Sequence, residues 1–375
     1  AAVEQLIKEP SYRPTIQVPW YVSLLGAIAA MVVMWLINPL AFVFALGVET
    51  LIFIYLISKK LEQQWGDAST GIWMHMSRYA LLRLNTKSVH ARNWRPIIIL
   101  FVRDVKGHLP VIKFTEMLGQ NSGLITISKL VTFEDRSELE RKNEIAFEMR
   151  KDLAAAGLEA LTEVNVVSDF KQGMYQVAAS HGVAGIKTNT VVFGWSGTAE
   201  GKIQELQIIH DLSTTGKNIL MVHFNKSFTR TAKKRIDIWW RGKDRNADLM
   251  LLLAYLIRLN GKWKKAVINI FSVVHSEEEK RAMEKHIEFS IREARIDAEI
   301  HVLIKNNEDV LETLLEKSQK ADLVFSGLAR GNSHIEERIQ VIERITNGLK
   351  AVAFVQNNGM KSEIPIIFGP TETDE

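Results

Sequence analysis

Two long apolar segments near the N-terminus dominate the hydrophobic pattern of this chain, residues 18–37 and 40–58. At about 1.5 Å of helix rise per residue, the first reaches roughly 30 Å, the thickness of a bilayer core, and the second is of similar length. Between them Asn38 and Pro39 form a turn signal, because proline disfavours helix at the residue before it. The pattern therefore predicts a transmembrane helical hairpin over residues 18–60.

The charged residues that flank this hairpin set its expected orientation. Positive residues lie outside both spans, namely Lys8, Arg13, Lys59 and Lys60. The positive-inside rule then places both ends of the chain in the cytoplasm, with residues 1–17 as a cytoplasmic lead-in. A signal peptide or a buried helical hairpin is a weaker interpretation, since a signal sequence should not be followed by a second span. The predicted location is the cell membrane, as a multi-pass protein.

Glu49 is the one charged residue inside the second span. A carboxylate in that position costs on the order of 3 kcal/mol if it faces lipid. We expect it to face protein or water, and packing against a neighbouring helix or a second subunit is favoured over a role in an ion or proton relay.

Residues 61–92 are predicted to form a connecting helix under the membrane. Ile72, Met76, Tyr79 and Leu82 recur at a spacing of three and four residues, which indicates an apolar helix face. Together with Glu49, we assign Trp73 and Met76 to dimer or helix packing.

From residue 93 onward the pattern changes to short β-rich segments separated by helical stretches, which predicts parallel sheets covered by helices. The first series of strands is predicted at 96–102, 123–131, 162–167, 190–195 and 218–224. The second is predicted at 235–240, 266–274, 298–304, 321–329 and 351–356. The longest intervening helices are predicted at 135–157, 174–182 and 276–296.

The expected fold class is thus a transmembrane helical hairpin followed by two tandem parallel-sheet α/β units. The similar order of elements in the two series indicates an internal duplication with a boundary near residues 225–234. The first α/β subdomain is predicted to cover residues 93–225 and the second residues 226–375.

Composition narrows the range of functions. A chain of 375 residues is long enough for two or three domains. Its net charge of +4 comes from scattered Lys and Arg without interleaved aromatics, which argues against nucleic acid as a partner. The lack of cysteine excludes disulfides and thiol catalysis. The chain begins with alanine instead of methionine, which favours a fragment of a longer protein.

Two strand-to-helix turns are candidates for phosphate binding, because backbone N–H groups at such a turn can surround a phosphate. One carries Gly194, Ser196 and Gly197, and the other carries Ser326 and Gly327. Neither completes a known phosphate-loop motif. The cofactor that they would take is an adenine nucleotide, and no other cofactor is expected.

The sequence shows no catalytic or metal-binding constellation. His108, His181, His210 and His334 are far apart along the chain, and the carboxylates lie mostly on helical faces with Lys or Arg nearby. Neither catalytic residues nor metal ligands are predicted, and the chain is not expected to be an enzyme.

The segments just described resemble the C-terminal third of a cation-chloride cotransporter of the amino acid-polyamine-organocation superfamily. The resemblance lies in YRPT, WYVSLLGAIAAMVVMWLIN, YLISKK, WGDAST, NWRPIIIL, GIKTNTVVFGW, RIDIWW and LLLAYLIRLNGKWKKAVINIF, which occur in that order along most of the chain. The divergence of the sequence favours a prokaryotic member.

This resemblance implies that the hairpin corresponds to the last two of twelve membrane helices. It implies that the rest is a cytoplasmic regulatory domain with a universal-stress-protein-like fold in two halves. Family members are homodimers, and some bind a nucleotide in this domain. The ion sites of such transporters lie on helices that this chain lacks, so no ion-binding residue is expected here and the N-terminal transport core is an expected partner.

The resulting functional expectation is a membrane-anchored regulatory and dimerisation segment of a secondary transporter that couples K⁺ or Na⁺ and chloride movement. Two alternatives stay open on the sequence alone. One is a membrane-anchored nucleotide-binding sensor, and the other is the tail of an amino-acid permease with the same architecture.

Overall fold

The structure, a computed structural model, describes residues 19–58, 68–86, 94–119, 123–195, 197–225, 234–241, 246–305, 310–329, 331 and 334–358. The predicted lead-in and its two positive residues, together with Lys59 and Lys60, lie outside these residues. The chain divides into two compact units, residues 1–87 and 88–375.

The first unit contains two consecutive apolar helices, α1 (Trp20–Ile37) and α2 (Pro39–Ser58). Asn38 alone separates them, in an extended conformation, and its side-chain oxygen accepts hydrogen bonds from the backbone N–H groups of Leu40 and Ala41, each at 3.1 Å. Pro39 then occupies the first helical position, where its missing N–H costs nothing. Asn38 therefore ends one helix and caps the next, as the turn signal predicted.

α1 is the one described helix that is long and apolar enough to cross a membrane by the usual criteria of length and composition, and none of its residues is buried. In α2 the described apolar stretch is shorter, Pro39–Ile52. A third helix, α3 (Ala68–Asn85), follows in the position of the predicted connecting helix.

The second unit begins with five parallel strands and their covering helices. The elements are β1 (Ile97–Phe101), α4 (Leu109–Gly119), β2 (Leu124–Thr132), α5 (Arg136–Glu140), α6 (Lys142–Ala155), β3 (Leu161–Val167), α7 (Phe170–Ser180), β4 (Gly182–Val183), β5 (Ile186–Lys187), β6 (Thr190–Gly194), α8 (Ala199–Leu212), a short 3₁₀ turn (Ser213–Thr215) and β7 (Asn218–Phe224). We call this set the first half.

A second half repeats the arrangement. Its elements are β8 (Arg235–Trp239), α9 (Asn246–Leu259), β9 (Val267–Val274), α10 (Glu277–Ala294), β10 (Glu299–Ile304), α11 (Val310–Ser318), β11 (Leu323–Gly327), α12 (Ile335–Gly348) and β12 (Ala351–Gln356).

The two halves share one ten-stranded sheet, in the order β10-β9-β8-β11-β12-β7-β6-β1-β2-β3. Leaving the small β4–β5 hairpin aside, each half has the strand order 3-2-1-4-5. All pairs in this sheet are parallel except β12 with β7, which join the halves in antiparallel register with Ala351 opposite Phe224 and Gln356 opposite Ile219. The expected parallel-sheet α/β fold is confirmed, and the two predicted units are fused edge to edge through their fifth strands.

Two hydrophobic cores lie on opposite faces of the sheet. α4, α6, α9 and α10 contribute to the core on one face, and α7, α8, α11 and α12 to the core on the other. Trp239 and Trp240 illustrate the alternation along a strand, since they are adjacent in sequence yet buried in different cores. The sheet is thus covered on both faces, as its continuous apolar strands require.

The predicted helix over residues 135–157 is interrupted in the structure. Asp135 caps α5 by accepting a hydrogen bond from the Glu138 N–H at 3.1 Å, and Arg141 leaves the helical conformation before α6 begins. The predicted helix over residues 174–182 starts earlier, because Asp169 accepts a hydrogen bond from the Gln172 N–H at 2.9 Å and caps α7.

Candidate functional site

Both candidate phosphate turns lie where the chain connections of their half change direction across the sheet. In the first half the connections from β1 lead one way along the sheet and those after β3 lead back, so β1 and β6 meet at a topological switch point. β8 and β11 meet in the same way in the second half. Ligands of open α/β sheets usually bind outside the carboxyl ends of the strands at such points. Gly194 is the last residue of β6 and Gly327 is the last residue of β11. Both turns that the sequence analysis selected therefore lie at switch points of the sheet.

The turn after β6 is open around its glycines. A methyl group built on Gly194 would make only an ordinary contact with Val111, at 3.6 Å, and one built on Gly197 would meet nothing within 4 Å. Thr198 caps α8 by accepting a hydrogen bond from the Gly201 N–H at 3.2 Å. Ser196, the third predicted residue of this turn, lies outside the described residues. Neither glycine is therefore required by the packing of the protein itself.

Lys202 is the cation nearest to this turn in sequence, and it is already paired. Its Nζ lies 2.5 Å from Glu343 Oε1 on α12 and 5.9 Å from the centre of the Trp195 ring. Glu200 adds a carboxylate in the first turn of α8. The positive charge of Lys202, which a bound phosphate would use, therefore takes part in an ion pair that joins the two halves.

The turn after β11 is closed by neighbouring side chains. Ser326 is partly buried within the strand, opposite Trp239 and Phe354. A methyl group on Gly327 would approach Asn246 Nδ2 to 3.3 Å, which is tight, and the Asn246 side-chain oxygen accepts a hydrogen bond from the Asn357 N–H at 2.7 Å. Gly327 therefore gives room for a buried asparagine at the start of α9.

Arg338 completes this closure from α12. Its guanidinium donates hydrogen bonds to the carbonyl oxygens of Ala329, at 2.7 Å, and Gly331. Burial lowers the pKa of Arg338. Arg338 therefore holds the loop after β11 in place, and the carbonyl groups of that loop occupy its guanidinium.

The structure does not bring the two turns together. β7 and β12 run in opposite directions, so the carboxyl ends of the first half and those of the second half lie on opposite edges of the shared sheet. Gly194 and Gly197 belong to one edge, while Ser326 and Gly327 belong to the other. Nucleotide binding at either turn stays a prediction.

The predicted packing residues of the first unit are exposed. Glu49 is exposed on α2, and on α3 the exposed fractions of Trp73 and Met76 are 66% and 55%. Ile72, Tyr79 and Leu82 of the predicted apolar face are exposed as well. The role of these residues in dimer or helix packing stays a prediction.

His181 has neighbours that the sequence did not reveal. Its Nδ1 lies 2.6 Å from Thr188 Oγ1 and its Nε2 lies 3.3 Å from Glu163 Oε1, the pattern of a hydroxyl, an imidazole and a carboxylate. The exposed fraction of Thr188 is 3%, so the hydroxyl is closed to a substrate. The cluster ties the end of α7 to the edge strand β3.

Sequence reasoning missed Asp237, a buried carboxylate that resembles part of a functional site. Its carboxylate is fully buried in the middle of β8 and accepts two hydrogen bonds from Arg235, at 2.7 and 2.9 Å. Asn269 Nδ2 at 3.0 Å and Ser318 Oγ at 2.8 Å complete its shell. The signal that could have revealed Asp237 is a charged residue inside the apolar run RIDIWW. This network stabilises the second half and offers no open position for a ligand.

Comparison with known proteins finds a family model that matches about a third of the chain. Residues 198–326 match the model of solute carrier family 12. The predicted resemblance to cation-chloride cotransporters is thereby confirmed. The matched segment begins at the cap of α8 in the first half and ends in β11 of the second, so it covers parts of both halves and stops before α12 and β12.

Solved structures add the fold. The cytoplasmic domain of a prokaryotic cation chloride cotransporter is 16% identical, with a TM-score of 0.53 over 72% of this chain and 98% of that one. A universal stress protein from Archaeoglobus fulgidus DSM 4304 is 14% identical, with a TM-score of 0.48 over 69% of this chain and 96% of that one. The first of these likenesses shows the fold shared with a transporter domain.

Proposed function

We propose that this chain is the C-terminal membrane hairpin and the cytoplasmic regulatory and dimerisation domain of a secondary transporter that couples K⁺ or Na⁺ movement to chloride. The observation that carries the proposal is the order of the parts. An apolar helix pair precedes an α/β unit, and within that unit the solute carrier family 12 match covers parts of both halves.

The helix pair supports a membrane location. No residue of α1 is buried, and its exposed apolar side chains need a covering of lipid or of other membrane helices. In this proposal both ends of the chain face the cytoplasm, the protein is multi-pass, and the transport core of the same polypeptide supplies the ion sites.

The fused sheet supports a regulatory role. Asn225 at the end of β7 donates hydrogen bonds through its side chain to the carbonyl oxygens of Thr346 and Leu349, and through its backbone N–H to Lys350 at 2.9 Å. These hydrogen bonds connect the end of β7 to the second half, and the Lys202–Glu343 pair connects α8 to the second half. A domain joined in this way suits the transmission of a signal to a membrane core or to a second subunit.

The direct test is transport by the full-length protein in vesicles. We expect uptake of rubidium, used as a potassium analogue, or of sodium to require chloride and to stop when gluconate replaces it. Uptake that follows an amino acid and ignores chloride would instead assign the chain to an amino-acid permease. Light scattering in detergent should give twice the chain mass, and a strict monomer at high concentration would remove the dimer from the proposal.

A second candidate function is nucleotide sensing, favoured by the position of Gly194 and Gly327 at the two switch points. The open turn after β6 is the better of the two sites. Calorimetry with ATP should then give a binding heat that Gly197→Val reduces and that Gly47→Val, at another glycine with nothing within 4 Å, leaves unchanged. No heat at millimolar ATP would remove this candidate.

A further inference from the structure

The strand β10 forms one end of the ten-stranded sheet, and within the described residues it pairs with β9 alone. Its register with β9 is unbroken from Glu299 to Ile304, so the strand has no bulge. It contains neither proline nor lysine, two residues that often keep an edge strand from pairing with another chain. The outer side of β10 is therefore suited to pairing with a further strand.

A stack of rings leads across the sheet to this edge. Trp239 of β8 stacks on Phe271 of β9 with 5.2 Å between the ring centres, and Phe271 stacks on His301 of β10 at 4.9 Å. The ring planes are within 16° and 21° of parallel, and the three residues are direct neighbours in the register of the strands. The His301 side chain is 40% exposed. The stack therefore ends at the edge of the sheet in a ring that is only partly covered.

The equivalent edge strand of the first half, β3, differs in this respect. The stacked rings of that half, Phe193 and Phe101, lie on the inner strands β6 and β1, with 6.3 Å between their centres. The next residues in register are Ser128 on β2 and Glu163 on β3. Glu163 lies 3.3 Å from His181 of its own chain. Only the stack of the second half thus reaches an end of the sheet.

The sequence around β10, DAEIHVLIK, is complementary to itself when two copies run in opposite directions. With His301 of both copies at the centre, Asp297 lies opposite Lys305 of the partner subunit. In the same register Ile300 lies opposite Val302 of the partner subunit. Opposite charges and apolar side chains at facing positions stabilise a pair of antiparallel strands. A second copy of this chain therefore fits the edge in both charge and hydrophobicity.

We propose that two copies of this chain pair through β10, antiparallel and with His301 at the twofold axis. The two sheets then form one continuous sheet, and the ring stacks of the two copies meet at the two imidazoles. Because the same patch of each copy contacts the other, the contact is closed at two copies. The proposal rests on the dimer of the proposed function, and it names the strand that forms this dimer.

The test is a disulfide crosslink in the full chain in detergent, which is specific because the chain contains no cysteine. Facing residues of an antiparallel pair have Cβ atoms about 5 Å apart, close enough for a disulfide after small shifts. His301→Cys should therefore give a dimer band on a denaturing gel after mild oxidation. Ala298→Cys/Ile304→Cys, which keeps the imidazole, should give the same band. The matched control is Glu163→Cys, at the equivalent position of β3, which should stay a monomer on the gel.

A charge swap tests the register. Lys305→Glu in the His301→Cys chain places like charges opposite each other twice, and the crosslinked fraction should fall about threefold. Adding Asp297→Lys restores opposite charges and should restore the crosslink. A fraction that Lys305→Glu lowers and Asp297→Lys does not recover would overturn the register proposed here.

Light scattering of the unaltered chain separates this proposal from the proposed function. If the chain is a dimer and neither cysteine variant crosslinks, the β10 contact is overturned and the dimer is retained. If the chain is a strict monomer, both are overturned. Equal crosslinking by Glu163→Cys would also overturn the β10 contact, because it would show random collision. Thermal unfolding of each variant confirms that it is folded.

Discussion

The two halves of the α/β unit have the same strand order, and they differ in what fills equivalent positions. At the middle of the first strand the first half has Ile99 and the second has Asp237, and both are fully buried. At the end of the fourth strand Gly194 is open, whereas Gly327 lies against Asn246. At these two positions the first half therefore has apolar packing and an open turn, and the second half has a buried polar network and a closed turn. Because both halves share one strand order, their topology alone does not tell which half has room for a ligand.

The largest expected effect comes from making the second half like the first. Asp237→Ile removes the acceptor of Arg235, Asn269 and Ser318, and we expect a loss of about 3 kcal/mol in the free energy of unfolding. Urea unfolding followed by tryptophan fluorescence measures it. The control Ile99→Val should cost only about 1 kcal/mol. A variant Asp237→Ile as stable as the wild type would show that the network is dispensable.

The turns give the next comparison. Gly327→Ala forces Asn246 to move from a position fixed by its hydrogen bond with Asn357, and we expect a loss of about 1 kcal/mol. Gly194→Ala meets only Val111 at an ordinary distance and should change the unfolding free energy by less than about 0.5 kcal/mol. Equal effects in the same urea titration would mean that the two turns do not differ in packing.

A smaller effect is expected from the ion pair that joins the halves. The Lys202 side chain is 15% exposed and that of Glu343 is 40% exposed, so solvent screens the pair. A double-mutant cycle with Lys202→Met and Glu343→Gln should give a coupling of about 0.5 kcal/mol. A coupling of zero would leave the Asn225 hydrogen bonds and the pairing of β7 with β12 to join the halves.

The smallest effect concerns the lysines that precede the fifth strands. Lys217 precedes β7 and is buried, and burial, together with Lys187, lowers its pKa from 10.5. Between this lowered pKa and 10.5 the unfolded chain binds more protons than the folded one, so stability rises with pH in that window. Lys350, the equivalent residue before β12, is more exposed and lies near Asp322.

We therefore expect Lys217→Met to reduce the rise in unfolding free energy as the pH is raised toward 10.5, and Lys350→Met to reduce it less, only through the loss of its effect on the pKa of Lys234. Urea titrations at a series of alkaline pH values measure the slope. Lys234, whose pKa burial also lowers, keeps part of the rise in both variants. A slope that Lys217→Met does not alter would assign the pH dependence to Lys234.

Much of the fold could be predicted because strand signals are local. The strands over residues 218–224 and 351–356 have the predicted bounds, since each is a continuous apolar run ended by polar residues. The β4–β5 hairpin was missed. It depends on positive φ angles at Gly182 and at Ala184, and alanine gives no signal for that conformation.

The site was only partly predictable for the same reason. Glycine after a strand marks a turn, so Gly194 and Gly327 were found. What surrounds each glycine comes from residues far away in sequence, such as Asn246 and Arg338, and no spacing rule connects them. The ion pair of Lys202 with Glu343 likewise joins residues 141 positions apart.

The sequence by itself determined the apolar helix pair, its Asn38 turn, the two series of strands and the family resemblance, because each rests on neighbouring residues. The tertiary structure decided that the two series form one sheet, since that depends on the pairing of β7 with β12, two strands that are far apart in sequence. It also decided that Lys202 pairs with Glu343 and that Lys234 is buried, because both depend on distances in space.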